Sequence, residues 1–208
     1  GYKYDGRKWV ETGLILEKAG TNLLQNSQSM SSTGWASTHG FVTPDVATAP
    51  DGSMTAEKLV ANTTNSIHYV RQYISKSSGT AVAYTLSCYI KSAEKNIAWM
   101  STYSSTNEEY VGKFDLSTGV ATTSASGTTV DMHYVGNDWY RCELSCTVGS
   151  TPSNASLTVF VGDSSQTSYV TSWAGNNSDG IYVWGAQMET ISGKSATSYI
   201  QTYGSTET

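Results

Sequence analysis

Charge is scarce in this sequence. Only 14% of its 208 residues are Asp, Glu, Lys or Arg, and 12 basic residues face 17 acidic ones, a net charge of −5. With no basic cluster either, a phosphate-backbone partner such as nucleic acid is not expected. No apolar run approaches membrane-spanning length, so no membrane partner is expected, and no signal-peptide pattern opens the sequence. No amphipathic helix of useful length and no coiled-coil heptad can be found. Cysteine is limited to Cys88, Cys142 and Cys146, with no Cys/His spacing that suggests zinc. Cys142 and Cys146 lie four apart in one strand-like segment. At strand rise they stand roughly 13 Å apart and cannot bridge each other. Free, buried thiols made in a reducing compartment are the expectation.

What is abundant is Ser, Thr, Gly, Asn and Tyr, with aromatics at 11%. That mixture suits many short strands joined by small polar turns, and it suits sugar recognition, because Tyr and Trp combine an apolar face with a hydrogen-bonding edge. Strand patterns run over 54–60, 66–75, 81–91, 96–103, 110–116, 129–135, 139–148 and 156–161, with a shorter one around Phe41-Val42. Turn chemistry separates them at Ala49-Pro50-Asp51-Gly52-Ser53, Ser117-Thr118-Gly119, Gly136-Asn137-Asp138 and Asp179-Gly180. The most distinct strand begins at Gly180. In it Ile181 and Val183 share one face, Tyr182 and Trp184 the other, and Gly185 closes it. An all-β, antiparallel β-sandwich follows, with residues 1–20 as a connecting segment, 21–203 as the sandwich and 204–208 as a tail. The first residue is not a natural start, so the chain reads as part of a longer one.

Several motifs carry a resemblance. Gly13-Leu14-Ile15-Leu16-Glu17 through Thr21-Asn22-Leu23-Leu24 resembles the G-L-L-I-E-x-x-x-T-N-L-L segment that recurs in bacteriophage virion proteins. Ala49-Pro50-Asp51-Gly52, Phe114 to Gly119, Asp138-Trp139-Tyr140-Arg141-Cys142 and Ala196-Thr197-Ser198-Tyr199-Ile200 continue the series in the same order. The chain is thereby similar to jelly-roll carbohydrate-binding modules of the family 4 and family 9 type (concanavalin- or galactose-binding-like) in tail fibres, tail spikes and head-decoration proteins. The resemblance implies a glycan or polysaccharide partner and contacts with other virion protein segments; virion fibres are commonly trimeric, so a homotrimer of the full-length protein is compatible with it and the oligomeric state stays open. It also implies synthesis in host cytoplasm and display on the particle surface. No cofactor is expected other than a structural calcium, which such modules often hold through an Asp of the last strand; Trp184 stands near that position here, which puts the calcium in question.

Alternation nominates ligand-binding side chains. Val70 and Ile74 share one side of their strand, which places Tyr69, Arg71 and Tyr73 opposite. Leu86, Cys88 and Ile90 share a side, which places Tyr89 and Lys91 opposite. Tyr69, Arg71, Tyr89 and Lys91 are therefore expected on one sheet face, offering stacking surfaces and cations, or else forming a wet face of cross-strand pairs. Both sides of 96–103 carry apolar groups, which leaves Trp99 open between core and platform. Trp173, beside Gly175-Asn176-Asn177-Ser178, is either an edge-binding aromatic or packing under its loop. Trp35 and Trp139 read as core plugs, and Trp184 as packing before binding.

No catalyst is expected. The Glu-x-Asp-x-x-Glu strand of laminarinase-type hydrolases is missing, and Glu108 and Glu109 would point opposite ways. A lyase-like pairing of Ser66-Ile67-His68 with Tyr89-Ile90-Lys91 fails because His68 falls on the Val70 side. His39 and His133 lack a Ser or Cys motif. A non-catalytic glycan-binding module of a phage structural protein is the leading expectation. A purely structural virion domain is the alternative, and a polysaccharide lyase or hydrolase a more distant one.

Overall fold

The computed structural model describes residues 2–4, 9–11, 19–106, 109–191 and 195–207; the motif over 13–17 and Glu108 lie outside the described residues. The strands, in chain order, are β1 (Tyr2–Tyr4), β2 (Trp9–Glu11), β3 (Ala36–Thr38), β4 (Gly40–Ala47), β5 (Ala56–Ala61), β6 (Asn65–Ser66), β7 (His68–Ser75) and β8 (Val82–Ser92). They continue as β9 (Ile97–Tyr103), β10 (Glu109–Asp115), β11 (Val120–Thr122), β12 (Thr129–Gly136), β13 (Trp139–Val148), β14 (Asn154–Gly162), β15 (Trp173–Ala174) and β16 (Gly180–Glu189). No helix occurs among the described residues.

Two six-stranded antiparallel sheets form the body. Sheet I runs β11-β10-β9-β14-β7-β3, and sheet II runs β12-β13-β8-β16-β5-β4. β1 pairs with β2, and β6 with β15, as separate two-stranded ribbons. The chain passes from β5 in sheet II to β7 in sheet I, back to β8, over to β9, back to β12 and β13, over to β14 and finally to β16. This alternate winding between facing sheets is that of a jelly roll.

Period-two alternation decides what lies between the sheets. Val70, Ile74, Ala98, Met100, Phe114, Leu157 and Val159 of sheet I meet Leu59, Leu86, Ile90, Leu144, Ile181, Val183 and Met188 of sheet II in one buried cluster. Each fully buried large side chain contributes about 1.5–3 kcal/mol of transfer free energy. Cys88 and Cys142 stand directly opposite each other across β8 and β13. All three cysteines are free and buried, and burial pushes the Cys88 thiol up to about 12.

β16 departs from its expected end. Gly185 does not close the strand; it sits at φ 60° inside it, where the register with β8 slips between Trp184 and Gln187. The extra residue is a β-bulge, and a positive φ there favours glycine. Without it, strict alternation after Val183 would aim Gln187 into the core. With it, Met188 is buried inward while Gln187 and Glu189 turn to the outer side.

Those outer groups hold the segment after β16. The Ile200 amide donates to Gln187 Oε1 at 2.7 Å and the Thr197 amide to Glu189 Oε2 at 3.0 Å. Arg141 donates to the Thr197 carbonyl at 2.6 Å, and the Ala196 amide donates to Glu143 at 3.2 Å. Asn22, fully buried, donates from Nδ2 to the carbonyls of Ala186 and Ile200. Its Oδ1 accepts from the amides of Leu24 and Met188. The Asn22 amide also donates to the Glu207 carbonyl at 2.8 Å in an antiparallel bridge. The segments 21–24, 185–189 and 196–200 thus form a single clasp.

Candidate functional site

The four residues expected on one face divide between two. Tyr69 and Arg71 lie on β7 in sheet I, whereas Tyr89 and Lys91 lie on β8 in sheet II. Each pair points outward as alternation requires, but the outward directions are opposite. The reason is the link over 76–81, which crosses between sheets instead of making a hairpin within one.

The outer face of sheet II is covered. Trp139 and Trp184 are buried there with Ala49 and Ala56, and Tyr89, Tyr182 and Tyr199 pack against them. Tyr199 reaches back from the clasp, 4.6 Å from Trp184 and 6.2 Å from Tyr89 between ring centroids. Its hydroxyl bonds Ser27, and burial raises its pKa. Trp184 donates from Nε1 to Thr55 Oγ1 at 3.0 Å, and Trp139 to the Thr48 carbonyl at 3.1 Å. Trp184 and Trp139 are therefore packing groups. Lys91 reaches the carbonyl of Asn137 at the rim. No group of three or more His, Cys, Asp or Glu side chains able to hold a metal occurs among the described residues.

The outer face of sheet I is different. Across it the register aligns Arg71 with Thr158 and Ser101, and Tyr69 with Phe160 and Trp99. Arg71 is the centre of an aromatic cage. Its guanidinium carbon lies 4.7 Å from the Tyr69 ring centroid, 5.3 Å from Tyr73 and 5.2 Å from Tyr103. Nε donates to Thr158 Oγ1 and Nη1 to the Tyr73 hydroxyl, both at 2.8 Å. Beside the cage a depression of about 300 Å³ is lined by Gly34, Ala36, Thr38, Tyr69, Arg71 and Tyr73. The small side chains of β3 keep it open, and Tyr73 is 49% exposed.

Trp99 lies on this outer face and not between the sheets, but it is only 7% exposed. Tyr169, from the loop after β14, lies over it and over Phe160 at 6.1 and 5.5 Å. The Tyr169 hydroxyl donates to Glu109, and burial followed by that carboxylate raises its pKa. Trp99 therefore contributes a rim, not an open platform, to a second depression of about 390 Å³ shared with Val111, Lys113 and Thr122. The buried Nε1 of Trp99 and Oγ of Ser101 have no hydrogen-bond partner among the described residues.

Trp173 is held by packing. His68 meets its ring edge-on at 4.7 Å, and Lys95 Nζ lies 4.7 Å from its centroid while pairing with Asp163 and Asp179. His68 itself is fully buried. Both of its ring nitrogens face backbone carbonyls, those of His39 and Trp173, so it is not placed to serve as a base.

The structure thus brings Tyr69 and Arg71 together and adds Tyr73, Tyr103, Lys113 and Tyr169. Alternation already places Tyr73 with Tyr69, and Tyr103 with Trp99. Nothing in the pattern of the 163–172 loop signals Tyr169.

A scan against protein-family models returns no match, and neither does a search of the curated proteins. Among solved structures the chain is similar to the enzymatically active domain of bacteriophage CBA120 tailspike protein 4, at 15% identity and a TM-score of 0.48. That match covers 82% of this chain and 21% of the other, so the chain spans about a fifth of that domain's length. It is also similar to TmCBM61 in complex with β-1,4-galactotriose, at 11% identity and a TM-score of 0.46, covering 82% of this chain and 99% of the other. The mannan-recognising module TmCBM27 gives 9% identity and a TM-score of 0.45, covering 84% and 97%.

Proposed function

We propose that this chain is a non-catalytic carbohydrate-binding module of a bacteriophage structural protein, displayed on the virion and engaging host or environmental glycans. The observation that carries the reading is the Arg71 cage on the open outer face of sheet I. Three tyrosine rings surround one guanidinium next to a depression. Such a group supplies flat apolar faces for sugar rings together with convergent donors for hydroxyls. The motif series supports the phage setting.

A glycan array with the purified domain tests it. Binding is expected, and Tyr73→Ala should weaken it by about tenfold, the loss of one stacking contact worth roughly 1–1.5 kcal/mol. Failure to bind any glycan at high micromolar concentration argues against the reading.

A second reading, a structural or assembly domain without a sugar site, is favoured by one observation. Tyr169 covers the aromatic centre of the face, so that Trp99 and Phe160 are buried. A negative array from a domain that melts cooperatively selects this reading.

A further inference from the structure

Resting on the reading of the Arg71 face as a glycan site, we infer that its ligand carries an anionic substituent, a carboxylate or a sulfate, that pairs with the Arg71 guanidinium. The charge pattern of the chain points there. Lys58, Lys91, Lys95 and Arg141 each sit 2.7 to 3.9 Å from a carboxylate. Arg71, half-buried on the sheet face, has no such partner among the described residues: its hydrogen bonds go to two neutral hydroxyls. The described acids on the strands of sheet I, Glu109 and Asp115, are engaged elsewhere. Glu109 takes the Tyr169 hydroxyl, and Asp115 Oδ1 takes the Ser117 hydroxyl and amide.

A guanidinium offers five N–H donors. Two are used within the protein, which leaves Nη2 and one hydrogen of Nη1 to form the fork that matches a carboxylate or a sulfate. The three rings pack around the guanidinium at 4.7 to 5.3 Å, so less ordering is lost when an anion docks. Among the described residues Lys76 and Lys113 also lack a carboxylate, but Lys76 spends its ammonium on the carbonyls of Ser77, Thr80 and Pro152 and Lys113 reaches that of Gln166, whereas Arg71 keeps three donors unspent.

The net charge of −5 sharpens the point. Long-range attraction to a polyanion is unfavourable for this chain, so any preference for acidic sugars has to be local to the cations of this face, Arg71 and, 5.4 Å from the Trp99 ring centroid, Lys113.

Calorimetric titration of the purified domain with polygalacturonate, dextran sulfate, dextran and mannan reads this out. The carboxylate and sulfate polymers separate the two sources of charge. Binding to at least one anionic polymer is expected, with R71Q weakening it by about tenfold or more and R71K by less, since lysine keeps the charge but not the fork. Added salt should weaken it as well. K91Q, the same charge change on the opposite sheet, should bind as the parent does. R71K, which preserves the charge between the tyrosines, keeps the test decisive where R71Q fails to melt cooperatively. Neutral polymers bound as tightly as anionic ones, or equal losses in R71Q and K91Q, overturn the inference and leave glycan binding standing. An array on which nothing binds, charged or neutral, overturns both.

Discussion

Asn22 Nδ2 and the Ile200 carbonyl meet at 2.8 Å, although 178 positions separate them in the chain. That bond makes Asn22 the hub through which the opening of the sandwich, the bulge of β16 and the segment after it share one set of hydrogen bonds.

Asn22→Ala should therefore be costly. It strands the Ala186 carbonyl and the amides of Leu24 and Met188 in a buried setting and the Ile200 carbonyl in a part-buried one. Each orphaned buried group costs about 1–3 kcal/mol. A loss of roughly 3 kcal/mol or more in urea unfolding is the expected outcome, and a change below about 1 kcal/mol would show that the clasp is dispensable.

Gly185 tests the bulge. A side chain there must adopt φ 60°, and its Cβ would lie 3.0 Å from Tyr89 Cδ2. Gly185→Ala is expected to cost about 1–2 kcal/mol. Gly52, at φ 88° with no atom within 4 Å of a Cβ, isolates the conformational part of that cost. Gly52→Ala should be the milder change in the same unfolding series.

Acid should act through Asp163. The Lys95 ammonium, then the Ser165 hydroxyl and amide, hold its carboxyl down to about 2 from a usual 3.8. A depressed carboxylate contributes stability that is complete above the unfolded value and is lost as pH falls through the folded one. The expected signature is a decline in unfolding midpoint from about pH 4 to pH 2 that Asp163→Asn flattens. Glu57 and Glu143 work in the other direction. Burial raises both, so their protonation on the way down favours the folded state. An unchanged acid flank in Asp163→Asn would remove the Lys95 pair from the account.

Strand-level organisation was legible in the residues themselves. Val70 and Ile74 inside with Tyr69 and Arg71 outside, and Ile181 and Val183 inside with Tyr182 and Trp184 outside, follow from period two and burial. Which sheet each strand joins was not. A short polar link such as 76–81 suits a hairpin and a crossover equally, and its outcome placed Tyr89 and Lys91 behind the molecule from Arg71. The fates of Trp99 and Trp184 were hidden for a different reason. Tyr169 and Tyr199 cover them from non-periodic segments, whose destinations are decided by side-chain hydrogen bonds to Glu109 and Ser27. Gly185 was ambiguous at the level of chemistry, because a glycine at positive φ serves a bulge as readily as a strand end.

The Asn22–Glu207 bridge has a mechanical consequence. The polypeptide arrives and departs at one corner of the sandwich, hydrogen-bonded side by side in opposite directions. Such a unit can hang from a longer protein like a pendant, spliced into a surface loop without prising the host's loop ends apart. Tension applied through those two attachment points would peel that bridge apart first, with the sheets shielded until the clasp behind it gives way.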